Sequence, residues 1–504
     1  MKNKAFWFYL LLFGFIFIYC LGVQAYDYDL WARLIVGKHF FQTLSIMKQD
    51  VVSYIPTDIW YDHEWGSGVI FYAMMHFFSH YGLIFLQIAL LSSIYYFISK
   101  TVKLKSKEPY NVLFYICSFL ALSMVCYQLI RCQLFTFLFF TIFLFIFEVE
   151  RKTKNSNLLW ILPLLMLFWN NIHGGCVAGL GLFVFYILGE FLNKNSIKKY
   201  FLPFLACFPI LLINPWGIGY LKYLFMAATM PRPEIIEWQN LFLYIFNYAY
   251  IEFKIFAFIL VCTEIFYLIR FRPKIDWTKY IITFSTVILA IEHIKHIPLA
   301  VITLTVFFYD DFYKVFNLFT LEIFKKKPYV ITKNVLFFII LGSFALSNLS
   351  FYKIKPYVEW TKYPIRIIEF IKINDIRGNI LTNFAQGSFT SYKLYPHNKI
   401  YMDGRYEELY FKETFDDLQN FVNMRRNWQN LLEKYPPDII ILEKQLPICK
   451  YLKKSSDWTV LFDDNNFYLF VKTKDVKDSY TNSPMDLEYY QKHLFDTDIN
   501  FMIE

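Results

Sequence analysis

From Ala5 to Gly22, and again from Ser67 to Ser99, the chain runs without a single Asp, Glu, Lys or Arg. About 20 apolar residues make a helix long enough to cross the hydrocarbon core of a bilayer. A chain in lipid must satisfy its own backbone polar groups, which for such runs means helix. Shorter or charge-interrupted runs recur at 109–129, 133–149, 157–171, 175–192, 201–214, 246–269, 280–292, 297–310 and 334–351. With 5–25 and 67–99 they predict a polytopic α-helical membrane protein of about eleven transmembrane helices. Charged residues make up 18% of the chain, where a soluble domain carries about a quarter. The surplus of Phe and Tyr suits a lipid-facing surface with aromatic belts. Met1 to Lys4 followed by the run to Gly22 lacks a small-x-small cleavage site and reads as a retained first helix, not a signal peptide.

The net charge of +9 lies in short inter-helix loops and not in one stripe, which argues against nucleic acid as a partner. Basic residues collect in cytoplasmic loops. One alternate set of loops carries Lys2 and Lys4, Lys100 to Lys107, Arg151 to Lys154, Lys194 to Lys199, Arg270 to Lys279 and Lys314 to Lys327. This places the N-terminus in the cytoplasm, and an odd number of spans places the C-terminal part outside. From about Lys353 the runs become short and mixed. A soluble extracytoplasmic α/β domain is expected over 353–475, after a transmembrane domain over 1–352 and before a polar tail over 476–504. Strands are expected at Asn379–Asn383, Lys399–Met402 and Asp438–Leu442, a helix over Thr414–Lys434, and a hairpin pairing Trp458–Phe462 with Phe467–Val471.

The opposite set of loops holds the unusual polar groups. The first outer loop, 26–65, opens Tyr26-Asp27-Tyr28-Asp29-Leu30-Trp31-Ala32-Arg33 and closes Trp60-Tyr61-Asp62-His63-Glu64-Trp65. Two acids two apart after a membrane helix, followed by an amphipathic stretch to Phe41, would stand at headgroup height. A carboxylate there can take a proton from a sugar hydroxyl, or bind a divalent cation (Mg or Mn) bridging phosphates. The plainer reading has Asp27 or Asp29 capping the interfacial helix. His63 can donate to phosphate, and Glu64 favours the start of the second span. Asn170-Asn171-Ile172-His173-Gly174-Gly175 is either a ligand-approaching junction or a tight helix–helix turn. Arg131 and Lys295, with His293 and His296, are candidate cations for a phosphate headgroup. Polar groups at membrane depth are costly and usually line a cavity, so their gathering on one side predicts a single outer site.

At these residues the chain resembles a large group of bacterial membrane proteins similar to the GT-C superfamily. Those are polytopic glycosyltransferases that use lipid-linked sugars, among them protein O-mannosyltransferases, oligosaccharyltransferases and lipopolysaccharide-modifying transferases. The resemblance runs through Asp27-Tyr28-Asp29-Leu30-Trp31, Pro56, Trp60 and His63-Glu64-Trp65, then Arg131-Cys132-Gln133-Leu134-Phe135 and Trp169 to Gly175. It continues in Asn214-Pro215-Trp216-Gly217, Glu237-Trp238-Gln239, Asp403-Gly404-Arg405 and the Trp458…Asp463 hairpin. The resemblance implies sugar transfer from a polyprenyl-phosphate donor to an envelope glycan, lipid or protein at the outer face of the bacterial cytoplasmic membrane. Asp27 or Asp29 would be base or metal partner. His63, Glu64, Arg131, Asn171, His173, His293, Lys295 and His296 would bind donor phosphate or substrate. Asp403 and Arg405 would lie on the acceptor side; the plainer reading of these two is an internal pair beside a turn. Where the group often carries Arg in the late helix pair, this chain has Glu292-His293-Ile294-Lys295-His296, and Lys lacks the bidentate grip of Arg.

No P-loop and no GxGxxG after a strand is present, so no nucleotide cofactor is expected. The rival is a non-catalytic transporter, flippase or assembly protein for envelope polysaccharide. A transporter should show inverted repeats and broken helices meeting at the midplane, and the sequence shows no such symmetry.

Overall fold

The computed structural model describes residues 2–22, 26–123, 125, 130–230, 232, 235–243, 249–320, 362–464, 466–477 and 480. The expected span at 334–351 and, but for 476, 477 and 480, the expected tail over 476–504 lie outside them. Among the described residues four helices are long and apolar enough to cross a membrane: Asn3–Gly22, Trp65–Lys105, Gln133–Thr153 and Gly174–Leu192. The chain divides into two compact units, one of Met1–Gln24 and Ile84–Lys355, the other of Ala25–Leu83 and Pro356–Glu504.

The first unit is helical. It contains α1 (Lys2–Gly22), then follow α2 (Tyr28–Thr43) and the start of α3 (Trp65–Lys105), which belong to the second unit, and α4 (Val112–Ser123), α5 (Gln133–Thr153), α6 (Ile161–Ile172), α7 (Val177–Leu192), α8 (Lys198–Leu211), α9 (Ile218–Thr229), α10 (Ile251–Phe271), α11 (Trp277–Glu292) and α12 (Ile297–Thr320). Helix α3 is interrupted at Ser79, whose φ of 54° is not helical. Helix α9 lies outside every span expected from sequence, and its 12 residues reach only about 18 Å, too short to cross. Trp169 of α6 stacks on Phe139 of α5, and Tyr186 of α7 stacks on Phe147 at 4.1 Å. Large apolar side chains such as Phe191, Leu202, Phe258 and Ile269 stay exposed, a surface that suits lipid and not water.

The loops read as cytoplasmic do not hold only ordinary solvated charge. Glu148, Glu150 and Glu190 are buried. Arg151 reaches Glu148 at 3.1 Å, Glu190 at 2.9 Å and Asp276 at 2.8 Å. Lys105 pairs with Glu148 and Lys199 with Glu150. Burying a charge is tolerable only with partners of this kind, and here they tie the ends of α5, α7, α8 and α11 together.

Among the described residues of the second unit five strands form one sheet, ordered β2-β1-β3-β5-β4: β1 (Gly378–Thr382), β2 (Asn398–Ile400), β3 (Ile439–Glu443), β4 (Trp458–Asp463) and β5 (Phe467–Lys472). The first three run parallel, β5 pairs antiparallel with β3, and β4 pairs antiparallel with β5. The register sets Ile380 against Ile400 and Ile439, and Ile441 against Leu469, so the middle of the sheet is buried on both faces as a parallel sheet requires. The expected helix over Thr414–Lys434 is two helices, Lys412–Val422 and Asn430–Lys434. Met424 and Asn427, both at positive φ, turn the chain between them.

An edge strand invites pairing, and the first loop supplies it. Tyr54 N–H donates to the Ile400 carbonyl at 3.0 Å, and Ile400 N–H donates to Val52 at the same distance. Helix α2 packs on the helix Phe384–Leu394 through Trp31, whose ring meets Phe389 edge-on at 4.9 Å. On its other side Gly37 lies against Gly68 of α3, so close that a Cβ would stand 2.3 Å from the Gly68 carbonyl oxygen. Residues Leu30 to Gly37 are therefore buried without interruption. The sequence suggested a helix half-immersed along the membrane surface; instead its first half is enclosed by protein.

Candidate functional site

Asp27 and Asp29 have different surroundings. Asp27 is 4% exposed, sits at the N-cap of α2 in extended backbone, and accepts from the Asp29 N–H at 3.3 Å. Asp29 occupies the first turn, where a carboxylate is favoured by the helix dipole, and its side chain is exposed. Its Oδ1 comes within 3.4 Å of where a Gly404 Cβ would be, and Ser388 Oγ within 3.1 Å of the same point. The capping role thus falls on Asp27. The exposed acid stands over a glycine turn whose N–H donates to Ser388 Oγ at 3.1 Å.

Asp403 and Arg405, which the sequence left between an acceptor contact and an internal pair beside a turn, are both buried. Arg405 Nε donates to Asp403 at 2.9 and 3.0 Å, Nη1 to Asp50 at 2.8 Å, and Nη2 to Tyr410 Oη at 3.3 Å. Its guanidinium lies 4.8 Å from the Trp60 ring centroid. The structure thus places the pair inside, as a cross-link, and not at a surface that a sugar reaches. Burial opposes the charge on Asp50, yet Arg405 and the hydrogen bonds from Ser53 and Val52 outweigh it and hold the carboxyl below its usual range. Burial drives the Tyr410 hydroxyl far up, helped by Asp403, so it stays a neutral donor and acceptor.

From Trp60 the polar contacts continue toward the surface. Trp60 Nε1 donates to Glu408 at 3.3 Å. His63 faces Glu408 with Nδ1 at 3.4 Å and Glu64 with Nε2 at 3.6 Å. Arg33 joins Asp62 at 2.5 Å and Glu64 at 3.6 Å. Sequence reasoning missed Asp50, Asp62 and Glu408 as members of this set. Asp50 does carry a local signal, an Asx turn with Val52 and Ser53, but nothing in the sequence points to its distant partner.

The remaining candidates belong to the helical unit. Arg131 is ion-paired to Glu237. Arg131, Glu237 and Lys295 line a cavity of about 20 Å³ with Val125, Gln133, Leu134 and Phe137. Lys295 Nζ lies 3.0 Å over the Trp238 ring centroid, and Arg232 lies 4.1 Å from it. His293 meets the Trp238 carbonyl at 2.8 Å. His296, between two helices, is held down to about 3 by burial and then by Lys295 and His293; it is neutral at physiological pH and does not serve as a cation for phosphate. The Asn171 amide is spent on the carbonyls of Leu167 and Ile213, each at 2.9 Å, which makes it a tie between helix ends. His173 Nδ1 receives Gly175 N–H at 2.9 Å and contacts Thr136 Oγ1 at 2.7 Å, and Thr136 in turn accepts from Trp169. Acceptance at Nδ1 puts the hydrogen of the neutral ring on Nε2.

Among the described residues no three His, Cys, Asp or Glu side chains gather as a metal site. Asp29 with a capping Asp27 supplies one buried and one exposed carboxylate. A magnesium-like ion held there would complete its shell from water and ligand oxygens. No family model matches the chain, and no curated protein matches it.

Proposed function

We propose that the chain is a membrane glycosyltransferase of GT-C type, with about eleven spans, that moves a sugar from a polyprenyl-phosphate donor to an envelope glycan, lipid or protein. It would work at the outer face of the bacterial cytoplasmic membrane, with its N-terminus inside and the sheet-bearing part outside. The observation that supports this best is the separation of roles in the first loop. Asp27 caps α2 and Asp29 remains exposed on its first turn. Asp29 would accept the proton of the acceptor hydroxyl as that oxygen bonds to the anomeric carbon, while the bond from carbon to the phosphate oxygen breaks and polyprenyl phosphate leaves. Sugar transfer from a polyprenyl-phosphate donor, assayed in membranes with Asp29→Asn beside Asp27→Asn, tests the reading. Loss in the first variant alone supports it, and full transfer by the first refutes it.

A second reading, as a carrier or flippase, is favoured by one observation. Lys279 of α11 pairs with Glu264 of α10 at 2.7 Å and with Asp311 of α12 at 2.5 Å, all three buried. Ionisable groups between membrane helices commonly serve ion or proton coupling. Proton-dependent uptake of polyprenyl-linked sugar into vesicles, without transfer, would select it.

A further inference from the structure

Three contacts converge on one short segment of the helical unit. Glu237 holds Arg131, Trp238 lies under Lys295 and beside Arg232, and Glu237, Arg131 and Lys295 all border the same small, mostly apolar cavity. The segment Ile236–Trp238 is a single 3-10 turn, tied down where Leu241 N–H donates to Ile291 at 2.8 Å and Ile294 N–H to Gln239 at 3.3 Å. Two strong cations thus meet consecutive residues of one turn, one at a carboxylate and one at an indole face.

We propose that Arg131 and Lys295 form an oxyanion-binding site for a phosphate group, and that Glu237 is its built-in competitor, holding the Arg131 fork until a phosphate takes its place. The proposal rests on the reading of the chain as a handler of phosphate-linked lipid and adds to it the means by which that site opens. A guanidinium grips carboxylate and phosphate with the same two-pronged geometry, so one group substitutes for the other. A void of about 20 Å³ admits one water-sized group. A phosphate therefore enters only as the Glu237 carboxylate withdraws, and Trp238, next in sequence, shifts from Lys295 with it. Lys295 then turns its charge from the ring face to the new anion. Glu237 is 30% exposed on its side chain, against 15% for Arg131, so the acid is the more open partner of the pair.

The site is read by binding without turnover, so a failed assignment of Asp29 leaves it standing and the reverse. Purified full chain in detergent is titrated with a polyprenyl monophosphate and, separately, with inorganic phosphate. Glu237→Gln removes the competing charge and should bind the lipid phosphate on the order of tenfold more tightly than wild type, the scale of one charge-assisted hydrogen bond. Arg131→Gln should lose the binding. Inorganic phosphate binding in the same order points to recognition of the phosphate alone; binding of the lipid form only adds a need for the chain, and both agree with the proposal. Equal or weaker binding by Glu237→Gln overturns it. Should that variant fail to fold, Glu237→Asp keeps the charge and shortens the reach. It should also bind more tightly, and unchanged affinity there overturns the proposal equally.

Discussion

Arg405 donates to Asp50 at 2.8 Å across 355 positions of chain. With Asp403 on the same guanidinium, this contact fastens the first loop to the sheet-bearing segment. All three side chains are 1% exposed or less.

Breaking such a group leaves a buried charge without its partner. Arg405→Met is therefore expected to cost about 3–5 kcal/mol. Arg405→Lys should not restore it, because an ammonium cannot reach Asp403, Asp50 and Tyr410 in one plane as the fork does. Urea unfolding followed by the near-UV signal of the sheet-bearing unit measures both. A loss under about 1 kcal/mol, the ordinary worth of an exposed pair, would contradict the cross-link.

The same contact sets a pH dependence. Asp50 in the folded chain titrates below its ordinary value, so the folded state binds fewer protons than the unfolded one as the pH falls. Its stabilisation is complete above about pH 4, the unperturbed Asp value, and is lost as pH drops through the lower folded value. The difference in unfolding midpoint between wild type and Asp50→Asn should be flat from about pH 5 to about pH 8 and shrink below about pH 4. A difference that instead grows toward acid would reverse the assigned sign.

Much of the helical unit was legible from apolar run length, because lipid leaves the backbone few other options. The strands were legible to within a residue or two, since Ile439–Ile441 is a buried β-branched run and Trp458–Lys472 folds about Asp464. The break at Met424 to Asn427 was not, because it contains neither Gly nor Pro. Nor was the docking of Val52 and Tyr54 on Ile400, a pairing that no local pattern encodes. The ion pairs of Glu148, Glu150 and Glu190, acids near the ends of apolar runs, were not legible either, because only packing brings their bases to them. In the candidate site, the Asp27-x-Asp29 spacing was legible but the roles were not, since both acids satisfy the same sequence rule for a cap.

The contact of Gly37 with Gly68 is a close approach of two helices. A Cβ at Gly37 would meet the Gly68 carbonyl oxygen and Tyr72 Cβ, both at 2.3 Å, and one at Gly68 would meet the Arg33 carbonyl at 2.7 Å. Neither obstacle is a flexible side-chain end. Gly37→Ala should cost about 1–3 kcal/mol and loosen the Arg33–Asp62 pair. Faster proteolysis within 44–64 in Gly37→Ala than in wild type would show it; unchanged cleavage and stability would mean the helices separate freely.

Asp27 and Asp29 can be told apart by substitutions that treat capping and proton transfer differently. Asn caps a helix about as well as Asp, whereas Ala does not. Asp27→Asn should therefore keep stability and transfer, and Asp27→Ala should lose about 1 kcal/mol of stability with transfer falling only as folded protein falls. At Asp29 the order inverts. Asn there keeps size and polarity but cannot take a proton, so Asp29→Asn should leave the unfolding midpoint nearly unchanged while transfer drops by about 10²- to 10⁴-fold, the usual contribution of a general base. Asp29→Glu, which keeps the carboxylate one methylene further out, should recover part of that rate. If instead Asp27→Asn abolishes transfer while Asp29→Asn retains it, the base is the buried acid, and the α2 cap and the catalytic carboxylate are the same residue.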